Sequence, residues 1–263
     1  MQLDGKRIIV TGGASGIAAG TVRGYVRAGA TVAVLDINEE NGQKTVAEAN
    51  AQEGATGKAT FYRCNIAKAE EVFSVFNQAA EDMGGLDVLA HIAGVELLKP
   101  AEDYTIEDMD FQFDVNIKGT ILTNQAACKI FKEQDGEGNI INFASDTAST
   151  GMPGGALYAT SKGAVYSWTR TIAYEWALKY DIRVNCVNPT MKTPMHDQYL
   201  AKMNDEERAK FIEGERLKVP FRGEMGDVDR DMAPVMVFLA SEASSYINGQ
   251  IIPVNGGRYM LRG

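Results

Sequence analysis

The sequence predicts an α/β fold, a doubly wound parallel sheet of seven strands with helices on both faces. Three observations carry this. Short apolar runs alternate with longer stretches of helical period along the chain. Nearly all of those runs lack strict in/out alternation, as expected of strands covered on both faces. No internal repeat, low-complexity tract or Pro/Ser linker divides the sequence, so residues 1–263 read as one domain.

Strands are expected at Arg7–Val10, Thr31–Leu35, Thr60–Cys64, Leu86–Ala90, Asn139–Phe143, Ile182–Val187 and Gln250–Val254. Helices are expected near 16–29, 39–53, 69–83, 105–133, 156–179 and 228–241. Strand–helix alternation gives parallel pairing. Ligands on such sheets sit at the carboxyl ends of the strands, where the winding reverses. Chemistry is therefore sought just after each apolar run. The segment 194–226 breaks the rhythm, being charged, Met-containing and without a clear strand. It reads as an irregular substrate lid or as a solvated surface excursion.

Composition narrows the function classes. Hydrophobic residues make up 45% of the chain, enough for a large core. No apolar run is long enough for a membrane helix. The N-terminus leads straight into Ile8-Ile9-Val10 without a secretory or transit pattern, which points to the cytoplasm. Cys64, Cys128 and Cys186 are scattered and lack metal-ligand spacing, so buried reduced thiols and no metal are expected. A net charge of -9 opposes nucleic-acid binding.

The first strand runs into Thr11-Gly-Gly-Ala-Ser-Gly-Ile-Ala18. Glycines there let backbone N–H groups approach a pyrophosphate, which then rests on a helix N-terminus. Taken alone, the cluster also fits an ordinary strand–helix turn. Context favours a nucleotide: a strand precedes, a helix follows, and Asp36 closes the second strand. A carboxylate there accepts hydrogen bonds from both hydroxyls of an adenosine ribose and repels a 2′-phosphate. No Arg or Lys sits in the 11–18 loop or directly after Asp36. NAD is therefore expected rather than NADP.

Tyr158 and Lys162 are four residues apart on one helix face. A free tyrosine has a pKa of about 10, too high for a base at neutral pH. A nearby cation favours the phenolate. Ser145 ends the run from Asn139, and Asn116 lies in a helical stretch upstream.

Together these residues resemble the short-chain dehydrogenase/reductase family. The likeness spans nearly the whole chain: TGGASGIA at 11–18, Asp36, AG at 93–94, Asn116, Ser145, YATSK at 158–162, IRVNCVNP at 182–189 and GQIIPVNGG at 249–257. The resemblance implies a Rossmann-type sheet and an NAD-dependent oxidoreductase acting on an alcohol or ketone. In it Tyr158 exchanges a proton with the substrate oxygen, and Ser145 places that oxygen. Lys162 grips the nicotinamide ribose and lowers the Tyr158 pKa, and Asn116 holds a proton-relaying water. The implied cofactor contacts are Gly12, Ser15, Gly16, Ile17, Asp36, Asn65, Ile66, Ala93, Gly94, Tyr158, Lys162, Pro189 and Thr193. A dimer or tetramer through the helices near 105–133 and 156–179 is implied as well.

The chain departs from the family pattern at several points. Ala18 replaces a glycine, and Asn65 stands where an Asp is usual. His91-Ile-Ala-Gly94 replaces NNAG, and His91 is read as a satisfied, partly buried histidine. Asn188-Pro-Thr-Met-Lys-Thr193 lacks a glycine and is shorter, and Asn255 replaces a common Asp.

The substrate is bounded less tightly. Val95 to Leu98, Asp146 to Pro153, Met191, Met195, His196 and Tyr199 are pocket candidates. Their apolar members suit a bulky secondary alcohol such as a hydroxysteroid, while Asp146 and His196 suit a polyol. A 3-oxoacyl reductase is a second reading. A non-catalytic NAD-binding regulator on the same fold is the third.

Overall fold

The computed structural model describes residues 2–134 and 136–260, with the side chains of 195, 198 and 199 also outside the description. The chain begins with β1 (Arg7–Thr11), α1 (Gly16–Arg27), β2 (Thr31–Asp36), α2 (Glu39–Asn50), β3 (Lys58–Arg63), α3 (Ala69–Met83) and β4 (Val88–His91). There follow α4 (Ile106–Phe113), a π-turn over Asp114–Lys118, α5 (Gly119–Glu133), β5 (Gly138–Phe143), a short α6 (Thr147–Thr150) and α7 (Ala156–Tyr180). The last part holds β6 (Ile182–Pro189), α8 (Pro194–Leu200), α9 (Asp205–Lys218), a second π-turn over Val228–Met232, α10 (Ala233–Ala240) and β7 (Ile251–Val254).

The seven strands form one sheet in the order β3-β2-β1-β4-β5-β6-β7, every pair parallel. Successive side chains of a strand face opposite sides. Ile8 and Val10 thus enter one core with Val22 and Tyr25 of α1 and Met236 and Leu239 of α10. Ile9 enters the other with Phe76 of α3, Phe131 of α5 and Trp176 of α7. Both faces are covered, which is why the strands read as continuous apolar runs. Ala18 packs in the first core, where only a small side chain separates α1 from the sheet. The winding reverses between β1 and β4, and this switch point fixes where a ligand cleft opens.

The helix expected near 105–133 is one continuous rod with a π-turn over Asp114–Lys118 inside it, a register slip that apolar periodicity does not reveal. One expectation changes. The segment 194–226 is largely helical rather than irregular, since it contains α8 and α9. α9 is held by features other than an apolar stripe. Asn204 and Glu207 form a reciprocal capping box, three acids occupy the first turn, and Arg216 and Lys218 occupy the last.

Candidate active site

Beyond β1 the chain turns through Gly12 (φ 75°) and Gly16 (φ 53°). These left-handed angles cost glycine little. Gly12 also lies against the loop after β4, where a Cβ would stand 2.8 Å from Ala93 Cα. The turn delivers the N-terminus of α1, whose cap residue Ser15 makes no side-chain cap hydrogen bond. The first N–H groups of α1 therefore face the loop ready for an anion. At the end of β2, Asp36 accepts from the Ala14 N–H (3.0 Å) and the Asn38 N–H (2.9 Å). Arg63, its register partner on β3, lies 3.9 Å from Glu71. Asp36 and this basic residue are neighbours only through the sheet, so no local spacing links them.

A cleft of about 510 Å³ opens here. Gly12, Ser15, Gly16, Ile17, Asp36, Asn65, Ile66, Ala93, Gly94 and Thr193 all line it. Pro189 ends β6 and lies outside that lining. Asn65 is engaged as a turn residue: its Oδ1 accepts from the Ala67 N–H (3.0 Å), and its own N–H donates to Glu71 (3.0 Å). Ile37, Phe111 and Val115 line the cleft without having been anticipated. Ile37 and Phe111 are exposed large apolar side chains, a property that sequence patterning does not carry.

The π-turn aims Asn116 at the loop after β4. Its Oδ1 accepts from the Val95 N–H and its Nδ2 donates to the Val95 carbonyl, both at 2.8 Å. Nδ2 also donates to Ser161 Oγ (3.0 Å). This clamp holds Gly94 beside the base of the site. A Cβ on Gly94 would stand 3.1 Å from Lys162 Nζ and 3.3 Å from Asn116 Oδ1. Glycine leaves that space open.

β5 and α7 bring the remaining groups together. Ser145 Oγ accepts from the Thr147 hydroxyl (3.0 Å), which leaves its own proton free to donate. Lys162 Nζ donates to the Phe143 carbonyl (3.1 Å) and lies 5.7 Å from the centre of the Tyr158 ring. Burial pushes Lys162 down to about 8, against the attraction of Cys186 and Glu96. Burial first, then the Glu96 carboxylate, raise the Tyr158 phenol above its ordinary value, while a hydrogen bond with Ser145 lowers it. Glu96 is exposed on the loop just past Gly94. Its carboxylate acts electrostatically on both members of the pair.

His91 is fully rather than partly buried, because β4 is central in the sheet. Its Nδ1 meets the hydroxyls of Thr11 and Thr123 and its Nε2 that of Thr120, each at 3.0 Å. Burial, with the Lys162 charge, holds its pKa down at about 3, against an ordinary 6.5. Between those values the unfolded chain binds a proton that the folded chain does not. The imidazole therefore stabilises the fold fully above pH 6.5, and that contribution is lost as pH falls toward 3. Urea titrations from pH 6.5 down to 4 are expected to show His91→Asn losing less stability than wild type, by about 1.4 kcal/mol per pH unit.

Among the pocket candidates, Met191 packs in the core with Met232 and Met236 and also lines a small cavity beside Phe221 and Asn255. Asp146 is also buried, with both oxygens held by Asn188 and Asn255. Asp146 is not available to a substrate, so the polyol contact read for it loses support. The side chains of Met195 and Tyr199 lie outside the described residues. Trp176 and Tyr166 turn inward, whereas Ile117 and Trp168 line a groove between α5 and α7.

Comparisons with known proteins agree with this architecture. A family model described as enoyl-(acyl carrier protein) reductase matches residues 12–258. D-threitol dehydrogenase of Mycolicibacterium smegmatis is 32% identical over 97% of this chain and 94% of its own length. 3-Oxoacyl-(acyl-carrier-protein) reductase of Thermotoga maritima is 34% identical over 98% and 99%. Among solved structures, NAD+-bound xylitol dehydrogenase superposes with a TM-score of 0.88 at 28% identity, covering 98% of this chain and all of that one. A putative short-chain alcohol dehydrogenase from Sinorhizobium meliloti gives 0.87 at 33% identity, over 98% and 97% of the two chains. The chain belongs to the short-chain dehydrogenase/reductase family of oxidoreductases.

Proposed function

We propose that this chain is an NAD-dependent dehydrogenase of secondary alcohols whose substrate carries further hydroxyl groups beside the reacting carbon. The observation that carries the reaction is the convergence of Ser145, Tyr158 and Lys162 beside the opening left by Gly94. A dinucleotide fits the residues present. The α1 N-terminus and Gly12 receive the pyrophosphate, Asp36 the adenosine ribose, Lys162 the second ribose and Thr193 the carboxamide. When bound, the nicotinamide ring supplies the acceptor for a hydride leaving the carbinol carbon.

The protein does the rest by position. Ser145 donates its free proton to the substrate oxygen. Tyr158, as phenolate, takes the hydroxyl proton while the C–O bond becomes a carbonyl. Lys162 favours that phenolate and binds ribose hydroxyls. Asn116 keeps the Gly94–Val95 backbone in place through its two hydrogen bonds to Val95.

Asp36 is the basis for NAD over NADP. Replacing it with alanine is expected to lower kcat/KM for NAD between about 10-fold and 100-fold, through lost charge-assisted hydrogen bonds. The same change should raise kcat/KM for NADP. Steady-state rates with both nucleotides decide this. Turnover of the unaltered protein with NADP alone contradicts the assignment.

Two features favour a polyol or vicinal diol over a hydroxysteroid. Glu96 offers carboxylate acceptors beside Tyr158. The names of D-threitol and xylitol dehydrogenases point the same way. Glu96→Gln is expected to raise KM for polyols about tenfold while leaving KM for a monohydric secondary alcohol unchanged. It should also move the alkaline rise in oxidation rate to lower pH, because a charge that raises the Tyr158 pKa is gone. An unchanged polyol KM removes Glu96 from substrate binding. A 3-oxoacyl reductase is the second reading, favoured by the name of the T. maritima relative. We further propose that α8 and α9 form the substrate lid, and that the groove between α5 and α7 is where subunits associate.

A further inference from the structure

We propose that Asp146 is a positioning residue for Ser145, and that the loop after β7 couples it to α9. The inference rests on the dehydrogenase reading above, in which Ser145 holds the substrate oxygen. Asp146 follows Ser145 directly and is buried. It faces two amide donors: Asn188 Nδ2 (3.3 Å to Oδ1) and Asn255 Nδ2 (2.8 Å to Oδ2). A carboxylate, which only accepts, satisfies both. Asn188 Nδ2 also donates to the Tyr166 hydroxyl, which in turn donates to the Ser145 carbonyl (3.0 Å). The Ser145–Asp146 segment is thus held on one side by α7 and β6 and on the other by the loop after β7.

That loop leads to the lid. Asn255 Oδ1 accepts from the Gly257 N–H (3.0 Å) and its Nδ2 donates to the Tyr259 carbonyl (2.8 Å), which fixes the turn. From the turn Arg258 reaches α9 and forks onto Glu215, at 2.6 and 3.3 Å. A continuous set of hydrogen bonds therefore runs from α9 through Glu215, Arg258 and Asn255 to Asp146 and the catalytic serine. Displacing any member transmits to the placement of Ser145.

The test exploits the polarity of one hydrogen bond. Asp146→Asn sets one amide donor against another. It is expected to lower kcat between about 10-fold and 100-fold by misplacing Ser145, while NAD affinity stays unchanged because no cofactor contact is touched. Amide hydrogen exchange across α9 and the loop after β7 is expected to rise. The double variant, Asp146→Asn with Asn255→Asp, restores the pairing with donor and acceptor exchanged. The amide introduced at position 146 keeps its oxygen toward Asn188 and gives its Nδ2 to the carboxylate introduced at position 255. That variant gives up the bond to the Tyr259 carbonyl, and kcat is expected to recover to within about threefold of wild type. If Asp146→Asn does not fold, Asn255→Ser removes the same bond from the other side, together with the turn bonds to Gly257 and Tyr259, and only its kcat is read in the same way.

A wild-type kcat in Asp146→Asn, or a loss that the exchanged pair does not rescue, overturns the positioning role. Unchanged exchange in α9 overturns the coupling to the lid. The exchange measurement needs no turnover, so a protein inactive on every alcohol would count against the dehydrogenase reading while still testing the coupling.

Discussion

Tyr158→Phe is expected to lower kcat for alcohol oxidation between about 10²-fold and 10⁴-fold, the usual contribution of a positioned acid–base group. NAD binding should survive, because the glycine turn, the α1 N-terminus and Asp36 are untouched. The phenol of the unaltered protein is held above its ordinary value by burial and by Glu96. Oxidation needs the phenolate, so its rate should climb with pH through the neutral range. Reduction of the matching ketone needs the protonated phenol and should lack that rise. Rates measured in both directions across pH, for wild type and variant, check the size of the loss and the asymmetry together. A variant that keeps its pH-dependent rise contradicts the assignment of Tyr158.

Lys162→Met has the second large effect, and it acts in two directions. Activity should fall steeply, because the cation beside the phenol is lost. Stability should increase. Burial lowers the Lys162 pKa from 10.5 to about 8, so the charged ammonium is less favourable in the folded chain than in the unfolded one. Methionine keeps most of the volume, removes that charge and gives up one hydrogen bond to the Phe143 carbonyl. The net gain is on the order of 2 kcal/mol at neutral pH. Between pH 8 and 10.5 the unfolded chain binds more protons at this lysine than the folded chain, so wild-type stability rises with pH across that window. The advantage of the variant is therefore largest below pH 8 and fades between pH 8 and 10.5. Thermal unfolding of both proteins as a function of pH measures it. A variant less stable than wild type at pH 7 would mean that Lys162 is retained for structure as well as chemistry.

The fold was legible because its signals are local and repeated. Ile8-Ile9-Val10 and Thr31-Val-Ala-Val-Leu35 must be buried on both faces, and a parallel sheet between helices satisfies that. The glycine turn and Asp36 were legible because each is tied to a strand end. Other features depend on partners distant in sequence. Whether Asp146 faces a substrate or the interior depends on Asn188 and Asn255. How much of Met191 is left for a cavity depends on α10 packing against it. The π-turn at Asn116 leaves the apolar periodicity nearly intact, so no pattern announces it. α9 is stabilised by its caps and end charges, and the Asn204–Glu207 spacing and its Glu-, Arg- and Lys-rich sequence are its signs.

In the proposed reaction Ser145, Tyr158 and Lys162 promote hydride transfer from a hydroxyl-bearing secondary alcohol to NAD. The most direct measurement is formation of reduced nicotinamide by the purified protein on threitol, xylitol, a cyclic diol, a hydroxysteroid and a 3-hydroxyacyl thioester, each with NAD and with NADP. Turnover of a diol or polyol with NAD, abolished in Tyr158→Phe, is the expected result. Binding of NAD by calorimetry without turnover of any alcohol, and without reduction of the matching ketones by NADH, would contradict it and leave a nucleotide-binding protein that performs no redox chemistry.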